Sequence, residues 1–360
     1  MIHGTMTAKS FPLSPTLAHA SRWLATALFA LCSVAWGVEP PHYTLGPSDL
    51  GVVINSADPY SRDIGAYYAK AHNIPPENVV EIDLPVKDEL TAQELDKART
   101  QLQSRLGNNI QALALVWAKP WHVGCASITY AITVGYDAGL CKDASKPTPL
   151  SNYFNSMATR PWQELGLRPS MLVAANSEAQ AQKLIDRGVA AWGNHPHATA
   201  WFVQTSDKFR NPRAQFFPAD QYVAATGVTI KRVQSEGLKD QSNILLYQTG
   251  RATVDNLNTL GFVPGALADH LTSFGGVISG NSGQMSSLKW LEAGATATYG
   301  SVSEPYSYPQ KFPHPQILLL HYMAGATAVE AYWKSVAWPA QGLFLGDPLA
   351  APYRRLGPYR

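Results

Sequence analysis

The sequence predicts a three-layer α/β sandwich around a mostly parallel sheet. Three observations carry that prediction. Strand-like and helix-like patterns alternate along most of the chain, the order that builds parallel sheets with helices on both faces. The strand candidates are short unbroken apolar runs, as strands buried on both faces should be. The helix candidates open with capping residues and carry one apolar face. With 46% hydrophobic and only 15% charged residues, the composition suits a large folded core.

The first stretch reads as an address label. Lys9 and Arg22 precede an apolar run from Trp23 to Trp36, and Ala35-Trp36-Gly37 places small residues at −3 and −1 of a cut after Gly37. The run is too short to span a bilayer. We therefore expect a signal peptide over 1–37 and a periplasmic or extracellular product, 38–360. Leu31 before Cys32 argues against a lipid anchor. Cleavage removes two basic residues and no acidic one, leaving 26 of each sign. A neutral chain with no basic tract excludes nucleic acid as the expected partner. No later segment reaches the roughly 18 unbroken apolar residues of a membrane span.

Within 38–360 the elements follow in order. Leu50–Ile54 is a buried strand, and a helix follows with Asp58 as N-cap and Pro59 at its first position. Val79–Asp83 is the next strand. Thr91 and Glu94 form a capping box before a helix to about Leu106, and 110–117 is a further strand. Residues 118–165 are rich in Pro, Gly and Trp and read as a loop-rich insertion or lid, with one apolar helix over 128–134. Met171–Ala174, a helix opened by Ser177 and Gln180, and strands at Trp201–Gln204 and Val228–Val233 complete the pattern. No polar linker divides the chain, so a single domain is expected.

Cys125 and Cys141 remain after cleavage, and export makes a disulfide between them the default. The sharper alternative is a catalytic thiol at Cys125, three residues after His122; a zinc site would need more ligands at tight spacing. No phosphate loop or dinucleotide fingerprint occurs, since Asn55-Ser-Ala-Asp58 follows the first strand, so no cofactor is expected. His195-Pro-His197 is a lone histidine pair in a loop, and no metal is expected.

Two strands set the functional question. Asn243–Tyr247 breaks into Gln248-Thr249-Gly250, and Gly275–Ser279 breaks into Gly280-Asn281-Ser282. Unusual strings surround them: Phe262-Val-Pro-Gly-Ala-Leu-Ala-Asp-His-Leu-Thr-Ser-Phe-Gly-Gly276, Trp290 to Pro305, Glu330-Ala-Tyr-Trp-Lys-Ser335 and Gly346-Asp-Pro-Leu349. Over nearly the whole mature chain these resemble a family of exported bacterial proteins found mainly in genomes that encode exosortase, the membrane enzyme that processes sorting-tagged exoproteins. More distantly, the order strand end, helix over about 284–292, Gly294-Ala295 turn and Gly-Asp-Pro segment resembles gingipain- and caspase-type cysteine peptidases. That resemblance implies a histidine in the first loop and a cysteine in the second. Here Thr249-Gly250 and Asn281 or Ser282 stand instead, so the thiolate chemistry that needs both is excluded at this position.

The expectation is a degenerate peptidase-like scaffold with a binding or accessory role at the cell envelope, its partner a protein, peptide or glycan. The alternative is a hydrolase with a non-thiol site near Ser282, His270 and Glu304. A Ser–His–acid group needs hydrogen-bond reach between Ser282 and His270. Asp269 and His270 read as lying on the helix before Ser282, where neighbouring side chains do not face each other, so the acid would be Glu304 or Asp347. Each has a simpler reading: His270 as a packed core residue, and Asp347 as the turn residue of Gly-Asp-Pro. Glu304 sits at a strand end, where α/β sheets place ligands. Tyr299, Tyr306, Tyr308 and Phe312 around it either line a sugar- or peptide-binding cleft or, the simpler reading, are rim packing.

Overall fold

A computed structural model describes residues 42–143 and 146–355, so the expected signal peptide lies outside the described residues. The unbroken apolar runs become strands: β1 (Leu50–Asn55), β2 (Val79–Ile82) and β3 (Ala112–Val116). A hairpin of β4 (His122–Val123) and β5 (Ala126–Ser127) precedes β6 (Ser170–Leu172) and β7 (Ala198–Gln204). The second half adds β8 (Gln221–Val223), β9 (Val228–Gln234), β10 (Ile244–Gly250), β11 (Phe262–Leu271), β12 (Ala297–Ser301) and β13 (Gly342–Gly346). All but the hairpin join one eleven-stranded sheet in the order β2-β1-β3-β6-β13-β12-β11-β10-β7-β9-β8. β2, β1, β3 and β6 pair in parallel, as do β12, β11, β10, β7 and β9, while β13 runs antiparallel to β12. The central strands β1, β3, β10, β12 and β13 are buried at every residue, which requires helices on both faces.

Capping fixes where those helices start. Asp58 accepts from Tyr60 N at 3.1 Å to open α1 (Pro59–Ala71), and Thr91 with Glu94 closes a full capping box on α2 (Ala92–Arg105). β1 is followed through α1 by β2 on one side, and β2 through α2 by β3 on the other. Right-handed crossovers therefore put α1 and α2 on opposite faces. The 118–165 segment folds into the body. It carries α3 (Ile128–Thr133), buried along its whole length against β6 and β13, and α4 (Pro161–Leu165). Cys125 and Cys141 are bonded there, which removes the thiol reading of Cys125. α5 (Glu178–Ala191) packs on α1; Ser177 caps Gln180 N at 3.3 Å, but Gln180 does not return the bond, so that capping box is half formed. α6 (Leu288–Ala293), α7 (Pro315–Met323) and α8 (Ala328–Ser335) complete the layers.

Two contacts fix the ends of the sheet. After β3, Trp121 Nε1 donates to Ser279 Oγ at 3.1 Å, and Cys125 O accepts from Ser303 Oγ at 2.7 Å. The segments that follow β3, β11 and β12 thus meet at one edge. At the opposite edge His72, after α1, meets Asp347, after β13.

One expected strand is absent. Gly275–Ser279 runs from a turn into irregular chain, and the strand before it is the ten-residue β11, which holds Asp269 and His270 on a strand and not on a helix. Pro264 and Gly265 mark its entrance, where β10 opposite shifts register between Ile244 and Leu246. From Ala266 onward β11 is continuously buried, as a central parallel strand requires. Gly276 follows because a side chain there would meet Gly300 O at 2.5 Å. The predicted helix over 284–292 shortens to α6.

Candidate functional site

Since β11 ends at Leu271, the loop facing the end of β10 is Thr272-Ser273-Phe274 and not 280–282. Beside it lies a cleft of about 330 Å³, lined by Phe209, Arg210, Thr272, Ser273, Glu304 and Tyr306 among others. Its position, outside the C-terminal ends of parallel strands, is where open α/β sheets bind ligands.

Each wall is held from below. Arg210 Nε donates to Thr272 Oγ1 at 3.0 Å, and its Nη1 pairs with Asp207 Oδ2 at 2.8 Å. Thr272 Oγ1 donates to Gln284 Oε1 at 2.7 Å, and Phe274 N donates to the same oxygen at 2.9 Å. Glu304 Oε1 accepts from Tyr306 N at 2.8 Å, which holds Tyr306 in the left-handed region at φ +55°. Phe209 and Tyr306, both in the cleft lining, leave 80% and 50% of their surfaces in solvent. The result is a shallow groove with one cation, one carboxylate and two exposed rings. A deeper clamp supports it: Arg213 is buried and ion-paired with Asp269, and its Nη2 donates to Thr249 O at 2.9 Å and Asp269 O at 3.3 Å. It ties the ends of β10 and β11 together. Burial pushes the Asp269 carboxyl up, and Arg213 opposes that push.

The expected site residues disperse. Glu304 lines the cleft. Ser282 lies in the loop before α6, where its hydroxyl bonds Gln284 O at 3.3 Å. His270 is buried, accepts from Trp290 Nε1 on Nδ1 at 3.0 Å and donates from Nε2 to Met285 O at 3.1 Å. Both ring nitrogens are therefore used within the core, and the bond from Trp290 fixes the neutral tautomer with the proton on Nε2. Asp347 is buried at the far edge, where it accepts from His72 Nε2 at 2.7 Å, Tyr68 OH at 3.0 Å and Leu349 N at 2.9 Å. The last bond is the turn geometry of Gly-Asp-Pro; the other two tie α1 to the chain end. Of the four rim aromatics only Tyr306 lines the cleft, since Tyr299 and Phe312 are core residues and Tyr308 packs on Trp338. His195 bonds Arg354 O, and no group of three metal-ligating side chains occurs among the described residues.

Sequence reasoning missed Phe209, Arg210, Thr272 and Ser273. The signal available was the string Phe209-Arg-Asn-Pro-Arg213, a bulky apolar residue beside cations in a turn, placed just after a strand.

Burial pulls the His270 imidazole down to about 3, and burial, with Lys334 beside it, pulls His321 down to about 4. Each binds fewer protons folded than unfolded between those values and the ordinary value near 6.5. Their stabilisation is complete above pH 6.5 and is lost as pH falls toward 3–4. Glu330, raised by burial to about 7, acts in the opposite sense between about 4.5 and 7. Unfolding free energy should therefore fall on acidification below pH 6.5, most steeply between about pH 4.5 and 4, and His270→Gln should flatten the slope between pH 6.5 and 3. An identical slope in that variant would show that His270 is charged in the folded state.

A solved structure described as "Structure of Protease" superposes with a TM-score of 0.50 at 12% identity, covering 86% of this chain and 80% of its own. The fold is protease-like. No family model matches the sequence, and no curated protein matches it. On this protease-like fold the strand ends carry Thr249-Gly250 and Thr272-Ser273, with neither thiol nor imidazole at either position.

Proposed function

We propose that this chain is an exported, disulfide-bearing binding protein of the cell envelope, and that it holds a peptide or glycan chain in the cleft between Arg210 and Glu304. The observation that carries the reading is the cleft itself. It keeps the ligand position of a parallel α/β sheet, while Thr272 and Ser273, just after β11, bring hydroxyls to its wall and the His270 imidazole is held inside the core. Two exposed rings in one lining with a cation and a carboxylate suit a ligand that carries both apolar faces and polar groups. The Cys125–Cys141 bond supports an oxidising compartment. An accessory role in exosortase-linked protein sorting is the setting that the family resemblance suggests.

Two measurements test this. Purified protein should take up no covalent label from serine- or cysteine-directed activity probes; labelling abolished by Ser282→Ala or Ser273→Ala would replace the binding reading with a hydrolase. In peptide and oligosaccharide binding screens, Arg210→Ala with Glu304→Gln should weaken any hit by about tenfold or more. Hits that the double variant leaves unchanged would move the site elsewhere.

A further inference from the structure

A second cavity, independent of the cleft, lies at the opposite edge of the sheet. It opens beneath the starts of β3 and β6, has a volume of about 240 Å³, and is lined by Arg99, Leu102, Leu106, Ile132, Trp162 and Arg168 among others. No acidic side chain lines it. Neither arginine forms an ion pair among the described residues.

The donor arithmetic is specific. Arg168 is only 8% exposed and lies flat on Trp162, with its guanidinium carbon 3.4 Å from the ring centroid. Its Nε and Nη2 serve Ile110 O at 3.0 Å and Gly107 O at 3.1 Å, which leaves Nη1. Arg99 spends Nη1 on Ala131 O at 2.9 Å, which leaves its Nε–Nη2 fork. That fork is the geometry that binds a carboxylate with two parallel hydrogen bonds. Burying a guanidinium without a counter-charge is costly, and buried Arg168 shares its cavity with half-buried Arg99, on which Asp96 of the same helix acts from outside the lining. Burial alone draws Arg168 down to about 10, with no carboxylate to oppose it.

We propose that this cavity binds a small carboxylic acid with an apolar body, its carboxylate on the Arg99 fork and Arg168 Nη1 and its body against Leu102, Leu106 and Ile132. The volume is below the roughly 300–1,000 Å³ of pockets that take drug-sized ligands, which fits a small acid. Beside Gln103 and Thr133 the walls are Leu102, Leu106, Leu113 and Ile132, which favours an organic acid over inorganic phosphate or sulfate, whose remaining oxygens would meet mostly apolar side chains.

The test uses the purified chain with benzoate and 3-methylbutanoate as probes, benzamide as the neutral control and sulfate as the bare anion. Calorimetry should show saturable binding of both acids, with a matching rise in melting temperature and a shift of the Trp162 indole signal, assigned with Trp162→Phe. Benzamide and sulfate should do neither. Arg99→Gln should weaken benzoate by at least about tenfold. Arg99 is a half-buried helix residue, so circular dichroism should be unchanged, and Arg99→Lys, which keeps the charge but not the fork, should recover only part of the affinity. The proposal is overturned if neither acid binds, if sulfate binds as well as benzoate, or if Arg99→Gln binds benzoate like the parent.

Discussion

Asp269→Ala is expected to lower the unfolding free energy by about 3–5 kcal/mol, because it strands a buried cation. Arg213 is 1% exposed and Asp269 fully buried, and the carboxylate is the counter-charge of that guanidinium. Without it, the remaining partners of Arg213 are carbonyls of Thr249, Asp269 and Pro313, which accept hydrogen bonds but do not neutralise charge. Gln248 Nε2, which donates to Asp269 Oδ2 at 2.9 Å, also loses its acceptor. The double variant Asp269→Leu/Arg213→Met should recover most of the loss, since replacing a whole buried pair with apolar side chains is often neutral or stabilising. Recovery should be incomplete, because three strand-end and loop carbonyls would then lack their donor. Urea unfolding of both variants reads the difference. A loss below about 1 kcal/mol in Asp269→Ala is the value of a solvent-screened pair, and would show that water reaches this one.

That pair also shows how far the sequence could be read. β1, β3 and β10 were visible because continuous apolar runs have one structural use at that length, and α1 and α2 because Asp58 and the Thr91–Glu94 box satisfy local backbone donors. β11 was hidden because Pro264, Gly265, Asp269 and His270 all argue against a central strand when taken singly. Each is accommodated by something distant: a register shift in β10, Arg213 and Gln248 for the carboxylate, Trp290 and Met285 for the imidazole. With β11 misplaced, the second strand end falls at Ser282 and not at Thr272. Glu304 was legible because it follows a strand. Arg210 and Phe209 were not, because their partners Thr272 and Ser307 lie 62 and 98 residues away.

The far edge offers the second large effect. Asp347→Ala should cost about 3–5 kcal/mol, since one buried carboxylate is acceptor to His72, Tyr68 and Leu349 N, and each donor would be left unsatisfied. The same site makes a prediction about a glycine. A methyl group on Gly188, in α5, would lie 1.8 Å from Asp347 Oδ2 and 2.3 Å from its carboxyl carbon. Alanine is the better helix former, so on propensity alone Gly188→Ala would stabilise α5 by up to about 1 kcal/mol. The contact decides otherwise: the carboxylate must leave His72 and Tyr68, and the variant should be destabilised by about 3 kcal/mol or more. In the Asp347→Ala background the obstacle shrinks to a single Cβ, 2.7 Å from the new methyl. The double variant should therefore be more stable than the sum of the single losses predicts, by about 1–3 kcal/mol. Additive losses would mean that α5 does not press on the turn after β13, and that the contacts joining α1, α5 and the chain end are independent of one another.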